Sequence, residues 1–97
     1  MTKALWITLY QEITDPVALK EHAKLAIPAV EAHRGRILVR GLPTKVYEAG
    51  KMERTMVIEF DSIEQAIAAH DSPQYKLALD ALGGGAVRDM RIVEFES

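Results

Sequence analysis

No cysteine occurs in the 97 residues. The chain therefore has no disulfide to brace it and no thiolate to hold a metal ion. Concentrated charge of one sign is missing as well. The formal net charge is −2, with acids and bases mixed along the sequence. No basic run with interleaved aromatics marks a nucleic-acid surface, so no nucleic-acid partner is expected. Long apolar runs are absent too. The longest near the start, Ala4 to Leu9, is interrupted by Thr8 and followed by Gln11 and Glu12. It is too short to span a membrane, and no small-residue cleavage site follows it. A cytoplasmic location without membrane association is the expectation. The three histidines include no i, i+4 pair, and no G-x-S-x-G, Walker or dinucleotide fingerprint occurs. No metal, cofactor or activated nucleophile is expected.

What is present reads as a folded protein: 48% of residues are apolar and 27% charged, an ordinary globular balance. The length suits one domain over residues 1–97. A chain this short buries only about 60–65% of its unfolded surface, so its stability margin is thin, and a second copy is the expected help.

Residues 4–11 alternate Leu5, Ile7 and Leu9 with Trp6, Thr8 and Tyr10, a strand with both faces largely apolar. Asp15 caps a helix that opens at Pro16, and Leu19, His22, Ala23, Ala26, Ile27 and Val30 share one face of it. Pro28 removes a hydrogen bond inside that helix and predicts a kink or loosened turn. The helix is expected to end near His33-Arg34-Gly35, where glycine takes the left-handed turn and His33 serves the C-terminal end. Residues 36–41 predict a second strand, Lys45–Glu48 a short extended piece, Ala49-Gly50-Lys51 a turn, and 54–60 a third strand. Ser62 and Gln65 form a capping box for a second helix, with Ile63, Ala66, Ile67 and His70 on one face. Asp71-Ser72-Pro73 starts a shorter helix in which Tyr75, Ala78, Leu79 and Leu82 share a side. Gly83-Gly84-Gly85 ends it, and residues 90–95 form the last strand.

Two β-α-β halves of this kind interleave into a ferredoxin-like α+β fold, a four-stranded antiparallel sheet with helices on one face. The other face is left open although the first strand makes it apolar. A homodimer through that face resolves the conflict. Trp6 and Tyr10 are expected to fill the space between subunits.

Gly35-Arg36-Ile37-Leu38-Val39-Arg40-Gly41, the Glu48/Gly50 turn, Arg54-Thr55-Met56-Val57-Ile58-Glu59-Phe60 and Ser72-Pro73-Gln74-Tyr75 together resemble the bacterial domain-of-unknown-function family 1330. Asp15-Pro16 and Pro28 also stand where that family places them. The resemblance covers nearly the whole chain and implies a dimeric α/β barrel. It implies no activity. More distant barrel relatives include cofactor-free monooxygenases, lactone isomerases and haem enzymes, a range that leaves function to the site. This chain departs from the family at Leu42, His22, Ala69-His70 and Gly83, so a shared pocket is expected to be relined.

The candidate pocket residues are His22, Arg40, Glu59, His70 and Tyr75. His22 and His70 lie on the apolar faces of the two main helices and can flank one cleft. There each serves either as a hydrogen-bonded core histidine or as a general base. Arg40 and Glu59 lie on neighbouring strands, and Arg36 also can meet Glu59. Such a pair is either a cross-strand ion pair or a clamp for a planar anion. Tyr75 either packs its ring or donates to a ligand carbonyl. The three glycines lack the spacing of a phosphate loop. Two functions follow: a homodimer that binds a small metabolite between sheet and helices, or a cofactor-free isomerase, cyclase or monooxygenase acting on a small carbonyl or aromatic compound. The enzyme reading requires His22 or His70 to open into a concave pocket holding Arg40 or Tyr75.

Overall fold

A computed structural model describes residues 1–97. The elements run β1 (Thr2–Ile13), α1 (Pro16–Ala32), β2 (Arg36–Gly41), β3 (Thr55–Phe60), α2 (Ile63–His70), α3 (Pro73–Leu82) and β4 (Ala86–Glu96). The four strands pair antiparallel in the order β2-β3-β1-β4. This is the ferredoxin-like arrangement that the β-α-β halves predict, with α3 added to the second half. None of the helices is long and apolar enough to cross a membrane.

Local chemistry sets the helix ends. The Asp15 carboxylate accepts from the backbone N–H of Val17 and Ala18, both at 3.1 Å, and Pro16 opens the helix without wasting a donor. Ser72 does the same for α3 through Tyr75 N–H at 3.1 Å. At α2 only half of the expected capping box forms. Ser62 accepts from Gln65 N–H at 3.2 Å, while Gln65 Oε1 is buried without a partner. Helix α1 runs through Pro28 without a break.

The exit from α1 corrects one expectation. Arg34 takes the left-handed backbone, with φ of 67°, and Gly35 does not. Glycine is needed next door for room. A Cβ at position 35 would sit 2.5 Å from Val30 Cγ1 and 2.8 Å from Phe60 Cζ. His33 donates its Nδ1 proton to the Ala29 carbonyl at 2.9 Å, serving the end of the helix as expected.

The strands are longer than the sequence pattern suggests, by two residues at each end of β1 and by four residues ahead of β4. The extended piece at Lys45–Glu48 is not a strand: residues 42–54 form a loop, with a turn closed by Gly50 N–H on Tyr47 O at 2.9 Å. On α2, Ala69 rather than Ile67 faces inward, and Ile67 is exposed.

Trp6 and Tyr10 also stand elsewhere than expected. They point to the helix side of the sheet, with Ala4 and Thr8, and the Trp6 ring is 1% exposed. Trp6 stacks on Phe60 at 6.1 Å between centroids and meets Tyr75 edge-on at 5.0 Å, so it is the centre of the core. An indole among three helices is fully covered within its own chain, which leaves it nothing to offer a partner. The alternate residues Leu5, Ile7 and Leu9 make the opposite face, beside Val57 of β3 and Val93 of β4. That face carries no helix.

The pairing of Arg40 with Glu59 is overturned as well. Arg36 stands opposite Glu59, and its guanidinium reaches Glu59 and Asp61 at 2.9 Å each. The register then slips between Ile37 and Val39, placing Arg40 opposite Met56. One extra residue in β2 sends Arg40 to the helix side while Glu59 stays on the open side.

Candidate functional site

Between the helix side of the sheet and helices α1 and α3 lies a narrow cavity of about 30 Å³, lined by 15 residues of which ten are hydrophobic. That is room for one or two waters, or for the head of a small ligand. The polar lining comes from every layer. Strand β1 supplies Thr8 and Tyr10, α1 supplies His22, and α3 supplies Tyr75. Arg40 on β2, Arg54 just ahead of β3 and Arg88 on β4 complete it. Aspartate and glutamate are absent from the lining.

His22 is 4% exposed. Its Nδ1 lies 2.7 Å from the Ala78 carbonyl oxygen. A carbonyl only accepts, so Nδ1 carries the proton and Nε2 presents a lone pair. Arg88 Nη1 approaches that Nε2 at 3.4 Å, a long contact in which Arg88 donates. Burial lowers the pKa of His22, and the charges of Arg88 and Arg54 add to the effect, against the Ala78 hydrogen bond. The imidazole is therefore held neutral.

Tyr75 is buried beside it, with ring centroids 5.9 Å apart. Desolvation raises the phenol's pKa, and nearby Arg88 works the other way. The hydroxyl thus stays a proton donor at neutral pH. Arg88 also lies over the Tyr10 ring at 5.8 Å, an arrangement that orients a guanidinium without neutralising it.

None of Arg40, Arg54 and Arg88 has a carboxylate in ion-pair range, unlike Arg36 with Glu59 and Asp61 or Arg91 with Asp89. The cavity continues outward into an open groove of about 460 Å³ whose charged residues are Lys20, Lys24, Arg40 and Arg54. Only Lys24 among these has an acidic partner, Glu21 at 3.1 Å. A chain with net charge −2 thus gathers unpaired positive charge along one path.

Of the five residues singled out in the sequence, His22, Arg40 and Tyr75 meet at this cavity. His70 lies outside it, on the far side of Tyr75: its ring is 5.2 Å from Tyr75 and 5.6 Å from Trp6, and its Nδ1 is 3.0 Å from Asp71. The two histidines therefore share a tyrosine rather than a cleft. Glu59 is on the other side of the sheet. Arg54, Arg88 and Tyr10 were not among the candidates. Arg88 was readable only by extending the last strand backward, since 88, 90 and 92 then alternate onto the helix side with Met90 and Ile92.

The fold recurs in solved structures. A protein of unknown function from Rhodopseudomonas palustris superposes with a TM-score of 0.70 at 16% identity, covering 98% of this chain and 82% of that one. A dimeric protein of unknown function with a ferredoxin-like fold from Bacteroides fragilis gives 0.61 at 13% identity, covering 98% and 96%. SnoaB, a cofactor-independent oxygenase from Streptomyces nogalater, gives 0.59 at 10% identity, covering 99% and 93%. At such identities the likeness is one of fold. No curated protein matches the sequence. Residues 3–95 match the family described as Domain of unknown function (DUF1330), and the chain belongs to that family.

Proposed function

We propose that the protein binds a small organic anion in the cavity between sheet and helices, and that it does so as a homodimer. The observation that supports the ligand class is the convergence of three arginines, none paired with a carboxylate, on one mostly apolar cavity. Arg54 and Arg88 are partly withdrawn from water, where a guanidinium gains most from an anion, and Arg40 is exposed at the mouth. The guanidinium fork suits the planar oxygens of a carboxylate or enolate. Apolar walls favour a short carbon skeleton behind that head group.

The homodimer rests on the uncovered sheet face. Leu9, Val39 and Val93 stay exposed there, with Arg36–Glu59 and Asp89–Arg91 pairs among them. An apolar centre with charged margins is the anatomy of a protein interface. Dimeric proteins of the same fold add to this reading.

A thermal-shift series with short carboxylates and oxo acids tests the ligand class. Ligand at 100 times its Kd adds about 2.7 kcal/mol to the folded state. The rise in melting temperature is expected for anions, to weaken with salt, and to vanish in Arg88→Gln. Equal shifts with neutral amides of the same shape would sink the reading.

A second reading, cofactor-free chemistry on a carbonyl compound, is favoured by one observation: the lone pair of His22 is on Nε2, where its partner is the long 3.4 Å contact from Arg88.

A further inference from the structure

We infer that the cavity moves a proton at the carbon next to a carbonyl, acting on a small oxo acid through His22 Nε2. The inference rests on the anion-binding reading and assigns each polar group a part in it.

A base for carbon acids must be neutral, fixed in tautomer and next to groups that stabilise the oxygen charge it creates. His22 meets the first condition through its burial beside Arg88 and Arg54, and the second through the Ala78 carbonyl at 2.7 Å, which claims the Nδ1 proton. The third is met by Arg88, whose Nη1 is 3.4 Å from Nε2, and by the Tyr75 phenol facing Arg88. The charged and titratable side chains that line the cavity with His22 are Arg88 from β4, Arg54 ahead of β3, Arg40 from β2, Tyr10 from β1 and Tyr75 from α3. All are donors or cations, and none competes with Nε2 for the proton. The cavity is narrow and mostly apolar, so the cationic field on a developing enolate is screened less than it would be in water.

The cationic path to the surface orients the substrate. Its carboxylate binds Arg40 and Arg54 at the mouth, while its carbonyl oxygen points inward to Arg88 and Tyr75. The C3–H, on the side of the carbonyl away from the carboxylate, then faces Nε2. In the step, the C–H bond breaks and its proton joins Nε2. The electron pair forms a C=C bond, and the carbonyl π pair moves to oxygen as an enolate held by Arg88 and Tyr75. The imidazolium trades its proton with solvent through the groove and delivers a solvent proton to carbon, for exchange, or delivers a proton to oxygen, for the enol. No electron acceptor or second reactant is consumed. Displacing Arg88 from Nε2 onto the substrate oxygen is what frees the lone pair, and the long resting contact makes that exchange inexpensive.

The test uses 2-oxobutanoate in D2O, with proton NMR following loss of the C3 hydrogens. Saturation-transfer signals and thermal shift report binding on the same samples. Exchange is expected about 100-fold or more above equal free imidazole. His22→Gln is expected to keep binding and lose exchange, and His70→Gln to keep both. Binding by the wild-type protein without exchange overturns the proton-transfer inference and leaves the anion reading standing. Equal exchange in wild type and His22→Gln overturns the role of Nε2. Neither binding nor exchange overturns both. Should His22→Gln not fold, the wild-type pH profile takes its place: exchange that does not fall at acid pH, where Nε2 is protonated, overturns the role of Nε2.

Discussion

Arg36 and Arg40 lie on one short strand, yet they emerge on opposite faces of the sheet. The slip between Ile37 and Val39 separates them: Arg36 stands opposite Glu59, and Arg40 opposite Met56. One arginine thereby joins a surface ion pair while the other reaches the cavity. Arg40→Ala is expected to weaken anion binding about tenfold, the loss of a charge-assisted hydrogen bond. Arg36→Ala is expected to leave binding unchanged and to shift stability within about 1 kcal/mol, because the pair is solvent-screened. Calorimetric titration and urea melts of the two variants separate the roles, and reversed effects would mean that the slip is misplaced.

Trp6 and Ile7 give a second contrast between neighbours. Trp6 sits at the centre of the core, and Ile7 on the uncovered face opposite Val57. Trp6→Ala is expected to cost about 3–5 kcal/mol through lost packing and a large void. Ile7→Lys is expected to leave the fold intact and yield a monomer in light scattering, because a buried seam does not tolerate an unpaired ammonium. A dimeric Ile7→Lys protein would place the seam elsewhere.

Gly35→Ala is expected to destabilise by about 1–3 kcal/mol through overpacking. The added Cβ would press on Val30 and Phe60, at 2.5 and 2.8 Å. Phe60 is fully buried and has little room to retreat. A lower urea midpoint at unchanged slope is the signature to measure. Unaltered stability would show that the helix exit can move.

The pH dependence of folding follows from His22. Its pKa in the folded protein is lowered from 6.5, chiefly by burial. As pH falls below 6.5 the unfolded chain takes up the proton and the folded chain resists it, so stability is lost. Above that value both forms are neutral and the contribution is constant. Wild type minus His22→Gln, compared at pH 7.5 and 5.0 in urea melts, is expected to show this loss in the wild type alone. A difference that does not vary with pH would mean that His22 takes up its proton equally in the folded and unfolded chains.

The fold was largely legible because its signals are local. Asp15-Pro16, Ser62 and Ser72-Pro73 mark helix starts by chemistry that acts within one turn. Alternation in Leu5–Tyr10 shows a strand with two apolar faces, but alternation is symmetrical. It cannot say which face looks at the helices, and so does not tell that Trp6 and Tyr10 face them. The site was less legible for the same reason. Arg40 changes sides at an irregularity that no residue type announces, and Arg88 lies where glycines suggest a loop. His22 could be read because helical spacing puts it among Leu19, Ala26 and Val30. The identity of its hydrogen-bond partner, Ala78, lies 56 residues away and is a property of how α1 meets α3.

The cavity lies between α1, α3 and the inner side of the sheet, opposite the uncovered face. Assembly through the outer side would therefore complete nothing in the interior. Each subunit would titrate with one equivalent of ligand, and a hybrid dimer with one disabled half would keep half its capacity. Subunits joined back to back in this way are free to act as two separate vessels.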